Sequence, residues 1–439
     1  KGTAIAGRIM AKREHGNAIF LDLFDGEEKL QVFIGKDQVG EDSFKLFSEN
    51  IDVGDFVAVF GKAFYTKRKE ATIEAKKWQV LSKSLRPLPE KWHGLTDVEE
   101  RFRKRYLDLL MNEEVGAKFM KRSRLLQEMR SILTKEGFIE VETPMLQPIY
   151  GGALAEPFKT RHKMLDIEMY LRIAPELYLK RLLVGGVKKI FEIGRVFRNE
   201  GIDITHNPEF TMLELYASYW DAEQLKIFIA GVLEALIKKV TGKPTFKFED
   251  SEIKFTKKIP SVPFWSIIER HALIIKPENM TRDEFATRAK QFGLDPKAED
   301  TKEKIADEIF KKVCRPKLIQ PIFITHHPLA ISPLAKELAS NKELVDRFQL
   351  VMGGVEVVNG FSELNNPVEQ KKRFEFQETL RAGKDKEAHP MDEDYVEAME
   401  YGMPPAAGLG IGMDRLAMLL TDTHNIKEVI LFPTMKQKE

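Results

Sequence analysis

The sequence is poor in cysteine, in long apolar runs and in net charge. Its one cysteine, Cys314, excludes an intramolecular disulfide and a cysteine-rich zinc site, which fits a reducing cytoplasm. No apolar run approaches the roughly 18 residues that a membrane helix needs. Lys plus Arg number 69 against 68 Asp plus Glu, so any nucleic-acid binding must come from local patches. These absences predict a cytoplasmic protein without membrane association.

The composition is that of a globular protein. Hydrophobic residues make up 43% and charged residues 31% of 439 positions, a length that predicts two or three domains. Short alternating apolar runs at 4–9, 18–23, 30–34 and 56–60 are separated by Gly and Asp. About five such strands predict a small β-barrel, such as an OB-fold, over residues 1–84.

A proline-containing segment follows the predicted barrel. Residues 85–89 read LRPLP, which interrupts both helix and strand. We therefore predict a linker over 85–94 and a second domain over 95–439.

The second domain mixes helical and strand-like patterns. Helical spacing predicts helices at 115–135, 223–240 and 413–420, and apolar runs predict strands at 190–193, 210–215, 348–352 and 356–359. Clustered strands with helices at either end predict an antiparallel α+β domain. Residues 241–316 are more polar and predict a mostly helical insertion.

Two segments of this domain carry residues suited to anionic ligands. In 197–200 (FRNE) and 205–210 (THNPEF), the guanidinium of Arg198 can pair with carboxylate or phosphate oxygens, and Phe210 offers a face for a purine. Arg-x-Glu taken alone is more typical of an exposed ion pair on a strand. In 408–415 (GLGIGMDR), glycines let the backbone approach a ligand, and Arg415 lies where a helix begins.

Together these segments resemble a known family. Residues 137–146 (GFIEVETPML), the Arg198 segment and 408–415 resemble motifs 1, 2 and 3 of the class II aminoacyl-tRNA synthetases, in family order. The resemblance implies an α+β protein in which an N-terminal OB-fold barrel precedes an antiparallel-sheet catalytic domain. It also implies a homodimer formed through motif 1.

Three further segments resemble the lysine-specific members of the family. They are 172–180 (RIAPELYLK), 212–216 (MLELY) and 359–365 (NGFSELN). Free lysine carries two ammonium groups and one carboxylate, so its pocket needs several carboxylates and one cation. The lysine site implied by the resemblance comprises Gly152, Glu176, Arg198, Glu214, Tyr216, Asn359, Phe361 and Glu363.

The resemblance also assigns roles within that site. Glu176 and Glu214, with the Gly152 carbonyl, hold the α-ammonium group. Arg198 takes the α-carboxylate, and Glu363 with Tyr216 takes the ε-ammonium group. An aspartate-specific enzyme would need a cation at the far end of the pocket, and residues 361–365 contain none.

ATP and magnesium follow from the same resemblance. The implied ATP site comprises Arg198, Glu200, His206, Asn207, Phe210, Glu356 and Arg415, of which Arg198 and Arg415 are the implied catalytic residues. Phe210 stacks on adenine, and Glu356 ligates Mg²⁺, which prefers hard oxygen ligands. Gln349 stands where the family usually has a second magnesium-binding Glu, and we predict that its amide oxygen takes part.

Residues of the predicted barrel match positions that contact the anticodon in related synthetases. They are Arg13, Phe20 and Gln31, and they imply lysine tRNA as a partner, since OB-folds read single-stranded bases by stacking and by hydrogen bonds. Phe20 could instead be a core residue of the barrel. The adjacent His326 and His327 lack the further ligands of a metal site.

Two alternatives to a tRNA ligase remain at this level. A paralogous enzyme that attaches lysine to elongation factor P normally lacks the barrel. A non-catalytic RNA-binding descendant is disfavoured, because Arg198, Glu200, Glu356 and Arg415 are all present.

Overall fold

The computed structural model describes residues 2–89, 95–382 and 390–437. The chain folds into two compact units, and the boundary between them lies between Asn112 and Glu113. Residues 90–94 of the predicted linker lie outside the described residues. The first unit includes two short helices after the linker, whereas the sequence predicts that the second domain begins at residue 95.

The first unit contains a five-stranded closed barrel. Its strands are β1 (Thr3–His15), β2 (Ala18–Phe24), β3 (Lys29–Gly35), β4 (Phe56–Tyr65) and β5 (Ala71–Ser82), and its helices are α1 (Lys36–Val39), α2 (Glu41–Asn50), α3 (Val98–Arg103) and α4 (Arg105–Met111). The strands close in the order β1-β2-β3-β5-β4, with β3 and β5 parallel. This arrangement confirms the predicted OB-fold barrel.

Alternation along β2 determines which side chains enter the barrel core. Ile19, Leu21 and Leu23 are buried in it, so Phe20 and Asp22 point to the outer face. Phe20 is therefore not a core residue.

The second unit begins with the long helix α5 (Glu113–Lys135), close to the predicted 115–135. Its other helices are α6 (Glu176–Val184), α7 (Ala222–Thr241), α8 (Phe264–Ala272), α9 (Arg282–Gln291), α10 (Lys302–Ile309), α11 (Pro367–Ala382), α12 (Glu393–Glu400) and α13 (Met413–Leu420). Its strands are β6 (Ile139–Glu140), β7 (Leu146–Gln147), β8 (Lys159–His162), β9 (Ile167–Leu171), β10 (Lys189–Phe197), β11 (Glu209–Ser218), β12 (Thr245–Phe248), β13 (Ser251–Lys254), β14 (Ser261–Pro263), β15 (Ile322–Pro328), β16 (Leu344–Met352), β17 (Val355–Ser362) and β18 (Ala406–Gly412).

An eight-stranded sheet organises this unit, in the order β14-β15-β16-β17-β18-β11-β10-β6. Its inner pairs are antiparallel, and only β6–β10 and β14–β15 pair in parallel. The predicted antiparallel α+β architecture is confirmed.

The two faces of the sheet have different environments. On β11, Leu213, Leu215 and Ala217 are fully buried in the main core, which also takes apolar residues of α5, α7 and α13. The alternate positions Phe210, Met212, Glu214 and Tyr216 face the other side. Polar residues can therefore collect on that second face without entering the apolar core.

The predicted insertion at 241–316 contains α8, α9 and α10, but also three short strands. Phe246, Phe248 and Ile253 of the β12–β13 hairpin are buried in the main core, which explains why these apolar residues alternate with polar ones. Strand β14 joins the edge of the large sheet. Among the described residues, no helix is long and apolar enough to cross a membrane.

Candidate active site

A cavity of about 600 Å³ lies on the polar face of the large sheet. Strands β11, β16, β17 and β18 form its floor. The predicted lysine and ATP residues that line it are Gly152, Glu176, Arg198, Glu200, His206, Asn207, Phe210, Glu214, Tyr216, Gln349, Glu356, Asn359, Phe361 and Arg415. Glu363 lies behind this wall, with 1% of its surface exposed. The structure thus brings together residues that are up to 263 positions apart in the chain, from Gly152 to Arg415.

One end of the cavity is rich in buried carboxylates. Glu214 lies in the middle of β11 and accepts a hydrogen bond of 2.8 Å from the hydroxyl of Tyr216. Glu176 begins α6, and its Oε1 lies 2.5 Å from Nζ of Lys180, one helical turn later. Nζ of Lys180 also lies 2.5 Å from Oε2 of Glu363. The Lys180 ammonium group therefore lies between two carboxylates.

The surroundings of Lys180 are dry. Its side chain is fully buried, and its Nζ lies 5.2 Å from the ring centroid of Phe361 and 6.0 Å from that of Tyr216. Burial alone would lower the pKa of Lys180, but Glu176 and Glu363 outweigh burial and raise that pKa. Lys180 is consequently a cation that is buried behind the wall of the pocket.

Burial has the opposite effect on the neighbouring carboxyl groups. It raises the pKa of Glu214 to about 8, assisted by Glu176 and opposed by the hydrogen bond from Tyr216. It also raises the pKa of Glu363 to about 8, against the attraction of Lys180. Both groups would lose their protons more readily if a further cation entered this end of the cavity.

Two glycines allow close approach to these carboxylates. Gly152 has a φ of +86°, and a Cβ there would lie 2.7 Å from Cβ of Glu176. A Cβ on Gly408 would lie 2.2 Å from the ring of Tyr216 and 2.5 Å from Oε1 of Glu363. A larger residue at Gly408 would occupy the space in front of Glu363.

Arg198 lies between this end and the rest of the cavity. It follows β10 directly, and its guanidinium carbon lies 5.1 Å from the ring centroid of Phe210. Burial lowers the pKa of Arg198, while Glu200 and Glu214 favour its charged form. With its guanidinium group against an aromatic ring, Arg198 can pair with an anionic group through its in-plane N–H donors.

The opposite end contains a chain of three polar side chains. Nη2 of Arg415 donates to Nε2 of His206 at 3.0 Å, because a guanidinium group can only donate. The other ring nitrogen, Nδ1, then carries the proton and donates to Asp203 at 2.8 Å. Asp203 therefore orients His206, which in turn orients Arg415.

Arg415 is also fixed through its helix. The neighbouring Asp414 accepts a hydrogen bond of 2.6 Å from the backbone N–H of Thr211 on β11, and Arg122 of α5 donates to it at 2.7 Å. Asp414 thereby links the first turn of α13 to the long helix and to the central strand. The third sequence motif is thus tied to the helix that precedes the first motif and to the strand that follows the second.

The predicted magnesium residues form a second hydrogen-bonded chain. Nε2 of Gln349 donates to Oε2 of Glu356 at 2.9 Å. Its Oε1 lies 3.2 Å from Nε2 of His327, which must then be the donor. Burial lowers the pKa of His327 well below its usual value, so this ring is neutral. The amide oxygen of Gln349 thus faces His327, and its nitrogen faces Glu356.

A metal ion would find few protein ligands here. In the described parts of the chain, no cluster of three or more His, Cys, Asp or Glu side chains could hold a metal ion. Glu356 is a hard oxygen donor on the cavity wall, which suits a magnesium ion held mainly by phosphate oxygens.

Sequence reasoning missed several residues of this site. Lys180 lies within one of the segments that suggested the family and Asp203 lies between two of them, but neither had been assigned a role. Arg347 fixes Asn359 by donating to its Oδ1 at 2.8 Å. The insertion contributes Thr301, Lys304, Asp307, Glu308 and Lys311 to the cavity wall. The run of charged residues in 299–312 was the available signal, although such a run is also typical of a solvated helix.

The predicted anticodon residues lie together on the outer face of the barrel. Arg13 pairs with Phe20 across β1 and β2, and Asp22 pairs with Gln31 across β2 and β3. Asp22 accepts two hydrogen bonds from Arg13, at 2.8 and 3.2 Å. The ring centroid of Phe33 lies 5.2 Å from that of Phe20, and the sequence had not indicated Phe33. This face combines a half-buried aromatic pair with polar side chains.

Two family models match the chain. The one described as tRNA synthetases class II (D, K and N) matches residues 97–436. The one described as OB-fold nucleic acid binding domain matches residues 3–81.

Individual relatives are similar over nearly the whole chain. The lysine–tRNA ligase of Syntrophomonas wolfei is 48% identical over 438 residues, which are 100% of this chain and 89% of that protein. The lysine–tRNA ligase of Moorella thermoacetica is 48% identical over 436 residues, or 99% of this chain and 89% of that protein. That of Aquifex aeolicus is 47% identical over 438 residues, or 99% of this chain and 73% of that protein.

Proposed function

The chain belongs to the class II aminoacyl-tRNA synthetases and, within them, to the lysine–tRNA ligases, and on this basis we propose how its residues share the reaction. It activates L-lysine with ATP and transfers it to the 3′-terminal adenosine of lysine tRNA. The observation that supports this proposal is a single cavity. Two buried carboxylates, Glu176 and Glu214, line one part of it, with Glu363 behind the wall, and Phe210, His206 and Arg415 line another part.

The carboxylate-rich end takes lysine. Glu176 and Glu214 hold the α-ammonium group with the Gly152 carbonyl, and Arg198 holds the α-carboxylate. Glu363 and Tyr216 receive the ε-ammonium group, with Asn359 and Phe361 forming the wall around the chain. Gly408 lines the cavity, and a Cβ there would lie 2.5 Å from Oε1 of Glu363; this proximity supports the assignment.

The other end takes ATP. Phe210 stacks on adenine, with Glu200, His206 and Asn207 around the adenine and phosphates, and Arg415 binds the terminal phosphates. The lysine carboxylate attacks the α-phosphorus in line, and Arg198 neutralises the charge that develops there. Such chemistry depends on positioning and charge, so it requires no protein nucleophile.

At the nucleotide end, the protein offers a magnesium ion a carboxylate ligand, Glu356. Glu356 would hold the ion together with phosphate oxygens of ATP, and the ion would neutralise phosphate charge. Gln349 becomes a ligand only if its amide turns its oxygen from His327 towards the ion. In its present orientation Gln349 instead fixes the carboxylate of Glu356.

The barrel reads the anticodon through Arg13, Phe20 and Gln31. Phe20→Ala should weaken tRNA charging and leave lysine adenylation intact, since base stacking contributes roughly 1–3 kcal/mol. Tritium-labelled lysine transfer and lysine-dependent ATP–pyrophosphate exchange measure the two steps separately. Ile19→Val, a core change on the same strand, is the matched control. Equal losses in both steps for Phe20→Ala would contradict a role in tRNA recognition.

We further propose that the chain acts as a homodimer in the cytoplasm. Apolar side chains are exposed on α5 and in motif 1: Met120 is 72% exposed, Ile139 58% and Met145 47%. A second copy that covers these side chains would remove that surface from water. A monomeric mass in solution at micromolar concentration would contradict the dimer.

Lysine transfer with two competing acceptors tests the function as a whole. Purified protein is incubated with ATP and labelled lysine in the presence of lysine tRNA or of elongation factor P. We expect label on the tRNA alone. Label on the protein acceptor alone would support the paralogous activity instead, and no label on either would favour a non-catalytic descendant.

A further inference from the structure

Lys180 is a fully buried cation that has no role in the reaction described above. Its Nζ lies 2.5 Å from Glu176 and 2.5 Å from Glu363, and it does not line the cavity. Burying an ammonium group is costly unless it is paired, and one carboxylate would have been sufficient. Neutralising Lys180 therefore does not explain why it contacts both Glu176 and Glu363, and we look for the reason in the lysine pocket.

The two oxygens of Glu363 have different surroundings. Both oxygens are buried, and among the described residues neither has a partner with the angles of a hydrogen bond, but Oε2 forms an ion pair with Nζ of Lys180 at 2.5 Å and Oε1 does not. Oε1 lies 2.5 Å from the place where a Cβ on Gly408 would stand, and Gly408 lines the cavity. Lys180 thus fixes one oxygen of Glu363 and leaves the other towards the cavity.

Glu176 is divided in the same way. Its Oε1 accepts from Lys180, and its Oε2 lies 3.5 Å from the place where a Cβ on Gly152 would stand. Each of the two carboxylates therefore uses one oxygen for Lys180 and presents the other near a glycine of the cavity wall.

The charges of the pocket agree with this arrangement. When ionised, Glu176, Glu214 and Glu363 face the two cations Lys180 and Arg198, which leaves one negative charge. Lysine with two ammonium groups and one carboxylate carries one positive charge, so the occupied pocket is neutral. Without Lys180 the buried pocket would carry two negative charges. Its carboxylates would then take up protons more readily, and a protonated carboxyl group attracts the ammonium groups of lysine only weakly.

We propose that Lys180 is a positioning and specificity-determining residue, which orients Glu363 and Glu176 and attracts the charged form of Glu363, so that their free oxygens select the ammonium groups of lysine. Lys180 itself does not contact the substrate. The inference rests on the lysine pocket proposed above and adds the residue that maintains its charge.

The first experiment removes the ammonium group at similar length. Lysine-dependent ATP–pyrophosphate exchange is measured for Lys180→Met from pH 6 to 9, with norleucine, which lacks only the ε-amino group, as the competing amino acid. We expect kcat/KM for lysine to fall by about 10- to 150-fold at pH 7, with KM for ATP unchanged. The preference for lysine over norleucine should fall as well.

The pH profile separates positioning from simple structural support. The titratable groups around Glu363 are Glu176, Lys180, Glu214, Tyr216 and Tyr395. When the cation is lost, the pH at which kcat/KM for lysine increases should be higher by roughly one to three units. Lys121→Met, a lysine of α5 that donates to the carbonyl of Leu420, is the matched control and should leave the profile unchanged.

A second variant tests the claim by rescue. Lys180→Ala lacks three methylene groups and the ammonium group, which n-propylammonium supplies. This ion should restore lysine-dependent exchange in Lys180→Ala, whereas 1-propanol should not. In the wild-type protein the same ion can only compete with lysine and lower the rate.

Each outcome bears on one claim. A fall in activity with an unchanged pH profile, an unchanged norleucine ratio and no rescue would overturn the role of Lys180. If Lys180→Met fails to fold, the same measurements are made on Lys180→Gln, which keeps a neutral polar side chain. A wild-type pH profile and norleucine ratio in Lys180→Gln would also overturn the role of Lys180. If the wild-type protein shows no preference for lysine, the proposed pocket itself fails.

Discussion

The two ends of the cavity hold their charges differently. At the amino-acid end, Glu214, Glu363 and Lys180 are buried and already have partners within the protein. At the nucleotide end, Glu200 is exposed and Arg415 and Glu356 are only half-buried. The first end is built to recognise a charge pattern before substrate arrives, whereas the second leaves its charges available to phosphates and magnesium.

This difference predicts that substitutions will affect the two substrates separately. A change at the carboxylate end should alter recognition of lysine with little effect on ATP. A change at Gln349 should alter the use of magnesium and ATP with little effect on lysine.

The largest expected effect is at Glu363. Glu363→Gln removes the charge that faces the ε-ammonium group, and a charge-assisted hydrogen bond contributes roughly 1.5–3 kcal/mol. We expect kcat/KM for lysine in pyrophosphate exchange to fall by about 10- to 150-fold, with KM for ATP unchanged. Glu252→Gln, in the exposed hairpin, is the control. Normal activation of lysine by Glu363→Gln would show that the pocket is wrongly assigned.

The pH dependence of lysine recognition should be of intermediate size. Glu214 and Glu363 have pKa values raised to about 8 by burial, so below that pH they hold protons and attract ammonium groups weakly. As the pH rises towards 8 they ionise, and KM for lysine should fall by up to about tenfold per pH unit. KM for ATP should change little over the same range. A lysine KM that is flat from pH 6.5 to 8.5 would contradict the account.

The smallest expected effect is at Gln349. Gln349→Glu places a second carboxylate beside Glu356 and adds a charged ligand for magnesium. The gain of roughly 1 kcal/mol over a neutral amide corresponds to about a fivefold lower magnesium concentration for half-maximal adenylation. Magnesium titrations of both proteins at fixed ATP measure this. An unchanged requirement would mean that Gln349 acts only by orienting Glu356.

Local patterns predicted the elements but not the buried pairings. The spacing of Leu125, Met129 and Leu133 predicted α5, and an apolar run at 210–215 predicted β11. Lys180, by contrast, lies four residues after Glu176, which on sequence alone fits an exposed helical ion pair. Its burial depends on Phe361 and Glu363, more than 180 positions later, and no local pattern encodes that packing.

The orientation of Gln349 was unpredictable for a similar reason. The sequence predicted that its oxygen takes part in binding magnesium, but the amide is oriented by His327, on the neighbouring strand β15. Only the register of β15 against β16 brings that imidazole within reach. The part of the insertion that lines the cavity was missed likewise, because charged helices have the same composition whether they face solvent or a site.

The most direct test of the account compares lysine with norleucine in ATP–pyrophosphate exchange by the unmodified protein. Norleucine has the same carbon chain and lacks only the ε-amino group, so it would leave the carboxylate of Glu363 without a cation from the substrate. The account predicts that kcat/KM for lysine exceeds that for norleucine by a factor on the order of 10⁴. Comparable values for the two amino acids would contradict it.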